Sequence, residues 1–428
     1  MKILILISVL LISNVFCSKF SETVATIKPR SFGPVSGSTG LEVGMMRVGV
    51  TNECVFPFAN DAAWDPISES VLFIGAPHQH PWVWGFPIYK VETNSWRSGN
   101  LKPYFDPTGQ INTHSYDNIA SVYGSGKMYF YTPTPNTHPQ KSTNSYCFSI
   151  YDIPKDTWNV EVIPNDMVSG PYSALNYFPD INSLIYTNAG KISRYRLDTK
   201  QWSLLGSRTM GGIHNVGEYD PVHKIMLLGG GIDSKQLYKM DTLLQITPIA
   251  LAPKILDVSS MIFTCDPVTG TFIVWEKDSL YAYDVVSDKW STLMKSPIAN
   301  FQAAWASATP VKEYGVIAFM LNYQWPLLLY KHENMTSAEK NVGYTSLATA
   351  SINASPSPAN SFTIIKVGDS KNRQHEISIF DLSGKMVRRL NFMDNRFVWD
   401  LKDGSGQKVT PGVYLLKNNR ASSKVVVY

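Results

Sequence analysis

The stretch HNVGEYDPVHKIMLLGGGIDSKQLYKMDT, residues 214–242, reads as three short strands separated by two turn signals. Residues 216–219 begin the first strand, and Asp220-Pro221 predicts a tight turn after it. The apolar run 225–228 is ended by three glycines, and residues 237–240 resume as a strand. A meander this short cannot bury both of its faces alone, so the sequence predicts further copies of it.

Similar turn-and-strand units recur along the chain. The other turns are Asp65-Pro66, Tyr123-Gly124, Phe178-Pro179, Asp266-Pro267 and Thr309-Pro310, each followed by a short apolar run. A second run then ends in a polar turn, and in four units that turn leads into Trp96, Trp158, Trp202 or Trp290. Half the separation of Trp202 and Trp290 gives a repeat period of about 44 residues.

A four-stranded unit at this period is typical of a β-propeller blade. The glycine run after the second strand and the tryptophan opening the fourth make the chain resemble the kelch and galactose-oxidase-like propellers. Six second strands and six third strands can be read between Val71 and His332, which predicts six blades. Seven blades are the alternative, if residues 22–58 form a divergent copy. We expect the four tryptophans to pack between blades.

The sixth unit stops near Glu333 without a fourth strand. Because an open ring would leave an unpaired sheet edge, we expect a strand within residues 22–50 to complete that unit. The predicted propeller therefore spans residues 18–335, and a polar linker follows it over residues 336–348.

The N-terminus predicts an export signal. Residues 1–17 contain Lys2, the ten-residue apolar core ILILISVLLI and a short polar end, which fits a secretory signal peptide and is too short to span a bilayer. Cys17 as a lipoprotein cysteine is the alternative. Without Cys17 three cysteines remain, so at most one disulfide is expected and no cysteine metal site.

Composition limits the class of protein. The 428 residues are 44% hydrophobic and 12% aromatic, which is typical of folded domains rather than of disordered chains. A net charge of +4 with 17% charged residues provides no concentrated basic stripe, so we expect no nucleic-acid partner. No apolar run after residue 17 reaches the length of a membrane helix.

The pattern changes near the C-terminus. Residues 349–428 alternate in short strands with Ser-Gly and Asp-Gly turns, which predicts a small antiparallel sandwich. The segments NASPSPAN (353–360), IFDLSGKMV (379–387), WD (399–400), PGVY (411–414) and KVVVY (424–428) resemble, in this order, the C-terminal sorting domain of type IX secretion substrates. In that family Asn is commoner than Ser at position 357, between the two prolines.

The resemblance implies an Ig-like fold for residues 349–428. It also implies recognition of this domain by an outer-membrane type IX translocon, and a final location in the medium or on the outer cell surface. Residues 349–428 as a purely structural Ig-like module are the alternative.

In a propeller the loops that enter the innermost strands converge at one mouth of a central channel, the default place for a binding site. The binding candidates there are Asn60, Asp61, His114, Asp117, His214, Asn215 and Gln302. Glycan or surface-partner recognition is the first interpretation. A polysaccharide lyase is the alternative, with acid, base and charge-neutralising roles drawn from His114, Tyr116, Tyr172, Arg208 and His214.

Neither a metal nor another cofactor is predicted with a defined site. His78 and His80 alternate within one insertion, but no third ligand lies near them in sequence, so they remain weak metal candidates. No Tyr-His dipeptide occurs, which argues against the copper site of galactose oxidase. The sequence leaves open whether the protein is an enzyme.

Overall fold

The structure is a computed structural model. It describes residues 18–39, 61–74, 85–100, 118–134, 139–140, 145–168, 174–299, 301, 306–321, 326–335, 352–355, 357, 359–367, 375–392, 396–417 and 422–428. The fold is all-β, with several four-stranded antiparallel sheets and one short α-helix in the described part of the chain. The predicted signal peptide and the predicted linker lie outside the described residues.

Four sheets are simple four-stranded meanders. The first contains β6 (Ile119–Val122), β7 (Lys127–Pro133), β8 (Tyr146–Asp152) and β9 (Thr157–Ile163). The second contains β10 (Ala174–Phe178), β11 (Ser183–Asn188), β12 (Lys191–Arg196) and β13 (Gln201–Ser207). The third contains β14 (Asn215–Asp220), β15 (Ile225–Gly230), β16 (Leu237–Met240) and β17 (Ile246–Pro248). The fourth contains β18 (Met261–Cys265), β19 (Phe272–Glu276), β20 (Ser279–Asp284) and β21 (Lys289–Lys295).

A larger sheet joins the two ends of this array. It contains β1 (Ser31–Pro34), β2 (Asp61–Asp65), β3 (Ser70–Ile74), β4 (Gly85–Lys90), β5 (Ser95–Asn100), β22 (Ser307–Val311), β23 (Val316–Met320) and β24 (Leu328–Lys331). The strand order is β1-β24-β23-β22-β2-β3-β4-β5. Strands β22 and β2 meet through a single parallel pair, Asp61 with Ala308, whereas all the other neighbours are antiparallel. The large sheet therefore divides into two four-stranded units.

The first strands of the four-stranded units lie side by side in a cycle. In the described part of the chain, β2 contacts β6, and the contacts continue through β10, β14, β18 and β22 back to β2. The cycle surrounds a central channel, and the remaining strands of each unit lie outside it. Separate hydrophobic clusters fill the spaces between neighbouring units.

An N-terminal strand completes the last unit. Strand β1 pairs antiparallel with β24, so a strand within residues 22–50 does close this sheet, as the sequence predicted. The pairing continues beyond β1, because the Val35 N–H donates to the Leu327 carbonyl over 2.8 Å. The buried hydroxyl of Ser38 accepts a hydrogen bond from the Leu327 N–H over 2.8 Å and donates to the Val35 carbonyl over 2.7 Å.

A short helix that the sequence did not predict precedes β1. Helix α1 (Lys19–Thr26) begins at Ser18, whose hydroxyl accepts a hydrogen bond from the Ser21 N–H. Its buried residues Phe20 and Val24 join the hydrophobic cluster around β2 and β23. The buried ammonium of Lys331 donates to the carbonyls of Val24 and Ile27 at the helix C-terminus, where the helix dipole favours a cation.

Turns with Asp before Pro recur because the carboxylate caps them. Asp65 and Asp220 are the last residues of β2 and β14, Asp266 follows β18 directly, and all three are buried. Each accepts a hydrogen bond from the backbone N–H two or three residues later, and the proline between them has no N–H that would compete.

The tryptophans open the fourth strands and pair with a tyrosine of the third. Ring centroids are 5.1 Å apart for Tyr89 and Trp96 and 5.1 Å apart for Tyr283 and Trp290. The Trp290 indole N–H donates to the Ala250 carbonyl of the preceding unit over 3.0 Å. These contacts agree with the packing role expected for the tryptophans.

Residues 352–428 form two further sheets around a separate core. One contains β25 (Ile352–Ser355), β26 (Thr363–Val367) and β29 (Arg396–Trp399). The other contains β27 (His375–Phe380), β28 (Met386–Phe392), β30 (Gly412–Lys417) and β31 (Ser422–Val427), in the order β28-β27-β30-β31. Residues of both sheets, including Trp399 and Leu416, share one buried cluster.

The serine at position 357 has a definite role. Its hydroxyl accepts a hydrogen bond from the Val426 N–H over 3.1 Å, and Ala359 forms a parallel bridge with Val427. The segment before β26 is thereby attached to the last strand. An asparagine side chain also carries an acceptor oxygen, which accounts for Ser and Asn as alternatives at this position.

Candidate functional site

The central channel holds a cavity of about 520 Å³. Residues of all the first strands line it, together with residues of the turns that join first to second strands. These turn residues include Tyr123, Pro179, Asp180, Pro221 and Lys312. The cavity therefore reaches the end of the channel at which the Asp-Pro turns lie, which we call the turn mouth.

Small side chains keep the channel open. Ala62, Ala120, Gly217 and Ala308 contribute little volume to its lining. Gly217 also accommodates Asn176 of the neighbouring strand, because a Cβ atom at position 217 would lie 2.3 Å from the Asn176 amide nitrogen. Larger residues at these positions would fill the space that the cavity occupies.

Aromatic side chains line the channel near the turn mouth. Tyr177 and Tyr219 come from the ends of β10 and β14, and Tyr123 follows β6 directly. All three are half-buried, and Trp64 and Phe263 also line the cavity. The cavity thus offers apolar ring surfaces together with the amide of Asn176 and the carboxylate of Glu218.

Hydrogen bonds to carboxylates hold Tyr219 and Tyr123 in place, beginning with Tyr219. The Tyr219 hydroxyl donates to the Asp180 carboxylate, and the Lys224 ammonium lies 3.4 Å from the same carboxylate. Burial and then the hydrogen bond to Asp180 raise the pKa of Tyr219 far above its usual value. The hydroxyl therefore stays protonated at neutral pH and remains the hydrogen-bond donor to Asp180.

A second constellation lies on another side of the turn mouth. The buried Glu313 carboxylate accepts hydrogen bonds from the Trp64 indole N–H, over 2.6 Å, and from the Tyr123 hydroxyl. The Lys312 ammonium lies 6.0 Å from the centre of the Tyr123 ring. Burial, followed by the charge of Glu313, raises the pKa of Tyr123. Glu313 thereby holds the side chains of Trp64 and Tyr123 at the channel lining, where Lys312 also lies.

His214 lies at the opposite end of the first strands. Its Nδ1 is 2.9 Å from the Asp257 carboxylate oxygen Oδ1, which also accepts hydrogen bonds from the N–H and hydroxyl of Ser259. Burial alone would raise the pKa of Asp257, but the hydrogen bonds from His214 and Ser259 outweigh it and lower the pKa. Because a carboxylate can only accept, Nδ1 of His214 carries the proton of this hydrogen bond.

Two other candidates have backbone partners. The buried amide of Asn215 donates to the Gly211 and Gly230 carbonyls and accepts from the Ala189 N–H, so it holds loops of two neighbouring units. Arg208 follows the outermost strand β13, and its guanidinium donates to the Ser207 carbonyl over 2.8 Å. Neither Asn215 nor Arg208 is among the residues that line the cavity. A third candidate, Asp61, begins β2, where its backbone lies beside Ala308.

The remaining candidates lie outside the described residues. They are Asn60, His78, His80, His114, Tyr116, Asp117, Tyr172 and Gln302. Their convergence with His214 therefore stays a prediction.

In the ranges that the structure describes, no three His, Cys, Asp or Glu side chains cluster in a way that could hold a metal ion. No helix within those ranges is long and apolar enough to cross a membrane.

Comparison with known families identifies the C-terminal segment. Residues 353–427 match the family described as the secretion system C-terminal sorting domain. This segment is a type IX sorting domain. The prediction from its motifs is thus confirmed, and the protein is exported by the type IX system to the cell surface or the extracellular space. The sorting domain implies an interaction with the type IX translocon.

No curated protein matches the chain. Among solved structures, a structural genomics protein of unknown function from Bacteroides thetaiotaomicron is 12% identical, with 72% of this chain and 73% of that chain covered at a TM-score of 0.44. A chain of the mitotic checkpoint complex is 10% identical, with 69% and 97% covered at a TM-score of 0.41. An auxiliary nutrient binding protein from Bacteroides thetaiotaomicron is 10% identical, with 64% and 69% covered at a TM-score of 0.43.

Proposed function

We propose that residues 18–335 form a six-bladed, kelch-like β-propeller that binds a carbohydrate in its central channel outside the cell. Removal of residues 1–17 as a signal peptide belongs to the same proposal, as does an Ig-like classification of the sorting domain at residues 349–428. The cyclic contacts of β2, β6, β10, β14, β18 and β22 support the blade number, because a seventh blade would have to separate two of these neighbours.

The observation that carries the ligand proposal is the composition of the channel. A cavity of about 520 Å³ has the size of an ordinary small-ligand site. Sugar rings present apolar C–H faces together with hydroxyl groups, so they need aromatic surfaces beside polar donors and acceptors. Tyr177, Tyr219, Asn176 and Glu218 provide both kinds of surface within one cavity.

The test is a binding measurement on the purified full chain. Neutral and acidic oligosaccharides are first screened on a glycan array, and the ligands found are then measured by isothermal titration calorimetry. Tyr177→Ala should weaken binding roughly tenfold or more, because it removes a half-buried ring from the cavity. The matched control is Tyr428→Ala, which removes an exposed tyrosine of the sorting domain. Binding that Tyr177→Ala leaves unchanged would contradict the proposal.

A polysaccharide lyase is the second candidate, and the pair of His214 and Asp257 favours it. A carboxylate that holds Nδ1 of an imidazole orients the ring and makes it a better base. Incubation of the protein with acidic polysaccharides should then produce an unsaturated uronate that absorbs near about 235 nm, and His214→Ala should abolish the absorbance. Binding without any such product would favour recognition alone.

A further inference from the structure

The four-stranded sheet of the sorting domain has one buried and one exposed face. Successive side chains of a strand point to opposite faces. Ile377, Ile379, Leu416 and Val425 are buried in the core that the two sheets share. Their neighbours in sequence must therefore form the outer face of the sheet.

An apolar row crosses this outer face. Met386 pairs with Phe380 and Phe380 pairs with Leu415, so the row runs over three strands, and Lys424 lies opposite Leu415 on the fourth. Met386 is 45% exposed and Leu415 is 42% exposed, whereas Phe380 is half-buried. Val426 lies two positions beyond Lys424 on the last strand, on the same face, and is half-buried.

Basic residues flank the apolar row. The next row across the sheet contains Arg389 opposite Ser378 and Ser378 opposite Lys417. With Lys424 this gives three cations on the outer face. The nearby acid Glu376 is exposed and forms a weak ion pair with Arg389 at 3.7 Å. The outer face therefore combines an apolar centre with a positive border.

Both edges of the same sheet already have hydrogen-bond partners. Beyond β31, the Ala359 N–H donates to the Val426 carbonyl and the Tyr428 N–H donates to the Ala359 carbonyl, each over at most 2.9 Å. Beyond β28, the Gly404 N–H donates to the Val387 carbonyl over 3.0 Å. A partner is thus less able to add a strand at these edges, and side chains of the outer face are the better means of recognition.

We propose that this outer face, with Leu415 at its centre, is the surface by which the type IX translocon recognises the chain. The match of residues 353–427 to the sorting-domain family assigns recognition to this domain, and one side of the sheet is already used by the core. The chemistry of the outer face fits a translocon surface that is apolar at its centre and acidic at its border. Such a surface excludes water from the row and pairs with the three cations.

The test uses the full chain in a bacterium with an intact type IX system. Leu415→Glu places a carboxylate at the centre of the apolar row, and we expect the exported fraction, measured by quantitative immunoblot of medium, surface and periplasm, to fall roughly tenfold or more. The control is Val398→Glu, because Val398 is 50% exposed on a strand of the other sheet. Export of the control should equal that of the unchanged protein.

Folding is checked separately, by thermal unfolding of the purified variants. If Leu415→Glu fails to fold, Lys417→Glu reverses an exposed charge beside the row without removing apolar surface, and it should still reduce export. Normal export of a folded Leu415→Glu protein would overturn the proposal. Equal losses for Leu415→Glu and Val398→Glu would also overturn it. A lower unfolding temperature with normal export would show that the outer face packs on the rest of the chain instead.

Discussion

Replacing Ser38 with alanine should weaken closure of the ring. The Ser38 hydroxyl is buried and is the acceptor for the Leu327 N–H, which belongs to a residue that is only 1% exposed. The Val35 carbonyl would lose the hydroxyl donor but keep the Ser38 N–H at 3.3 Å, so the orphaned Leu327 N–H accounts for most of the cost. A buried backbone donor without a partner costs about 1–3 kcal/mol.

The assay is urea unfolding of the full chain, followed by tryptophan fluorescence. Ser36→Ala is the matched control, because Ser36 is exposed two residues earlier, and it should change the free energy of unfolding by less than about 0.5 kcal/mol. Limited proteolysis should also cut Ser38→Ala faster within residues 18–39. If Ser38→Ala and Ser36→Ala unfold at the same urea concentration, residues 35–38 do not contribute to closure.

Three further predictions concern other parts of the chain. Burial raises the pKa of Asp266 to about 6, so its protonation stabilises the fold, and that stabilisation is present below about pH 4 and is lost as the pH rises through 6. The free energy of unfolding of Asp266→Asn, relative to that of the unchanged protein, should therefore rise by about 1–3 kcal/mol from pH 4 to pH 7 in urea titrations. A difference between the two proteins that stays constant over this pH range would contradict the prediction. His214→Ala should cost about 1–3 kcal/mol, since it removes one donor to the Asp257 carboxylate, and an unchanged unfolding temperature would show that the pair is not structural. Deleting residues 349–428 should leave the rest of the protein in the periplasm, and normal levels in the medium after that deletion would refute this.

The repeat could be read from the sequence because its turns carry their own chemistry. An Asp that caps a turn and a Pro that lacks an N–H are both visible as letters, and Asp65, Asp220 and Asp266 mark strand ends in the structure. The sorting domain could be recognised for a similar reason, because its motifs occupy turns and buried strands in a fixed order.

Helix α1 could not be predicted in the same way. Eight residues make too short a helix to be stable by their own propensity, and Lys19–Thr26 carries only two buried residues. The helix exists because Phe20 packs in a cluster of distant residues and because Lys331 caps its C-terminus. Contacts between residues some 300 positions apart leave no local pattern in the sequence.

The mouth of the channel that carries the cavity differs from the one that the sequence predicts as the binding site. The central channel has two ends, and the pattern of turns in the sequence predicts a binding site at the end that His214 occupies. The described cavity reaches the other end, where an aromatic residue precedes several turns: Trp64 before Asp65-Pro66, Tyr219 before Asp220-Pro221 and Tyr177 before Phe178-Pro179. This recurrence was visible in the sequence. A residue just before such a turn lies at the end of a first strand. Aromatic rings at this position in several units therefore line the same mouth of the channel. The aromatic positions of the innermost strands therefore indicate which mouth of the channel carries apolar ring surfaces, independently of the length of the loops.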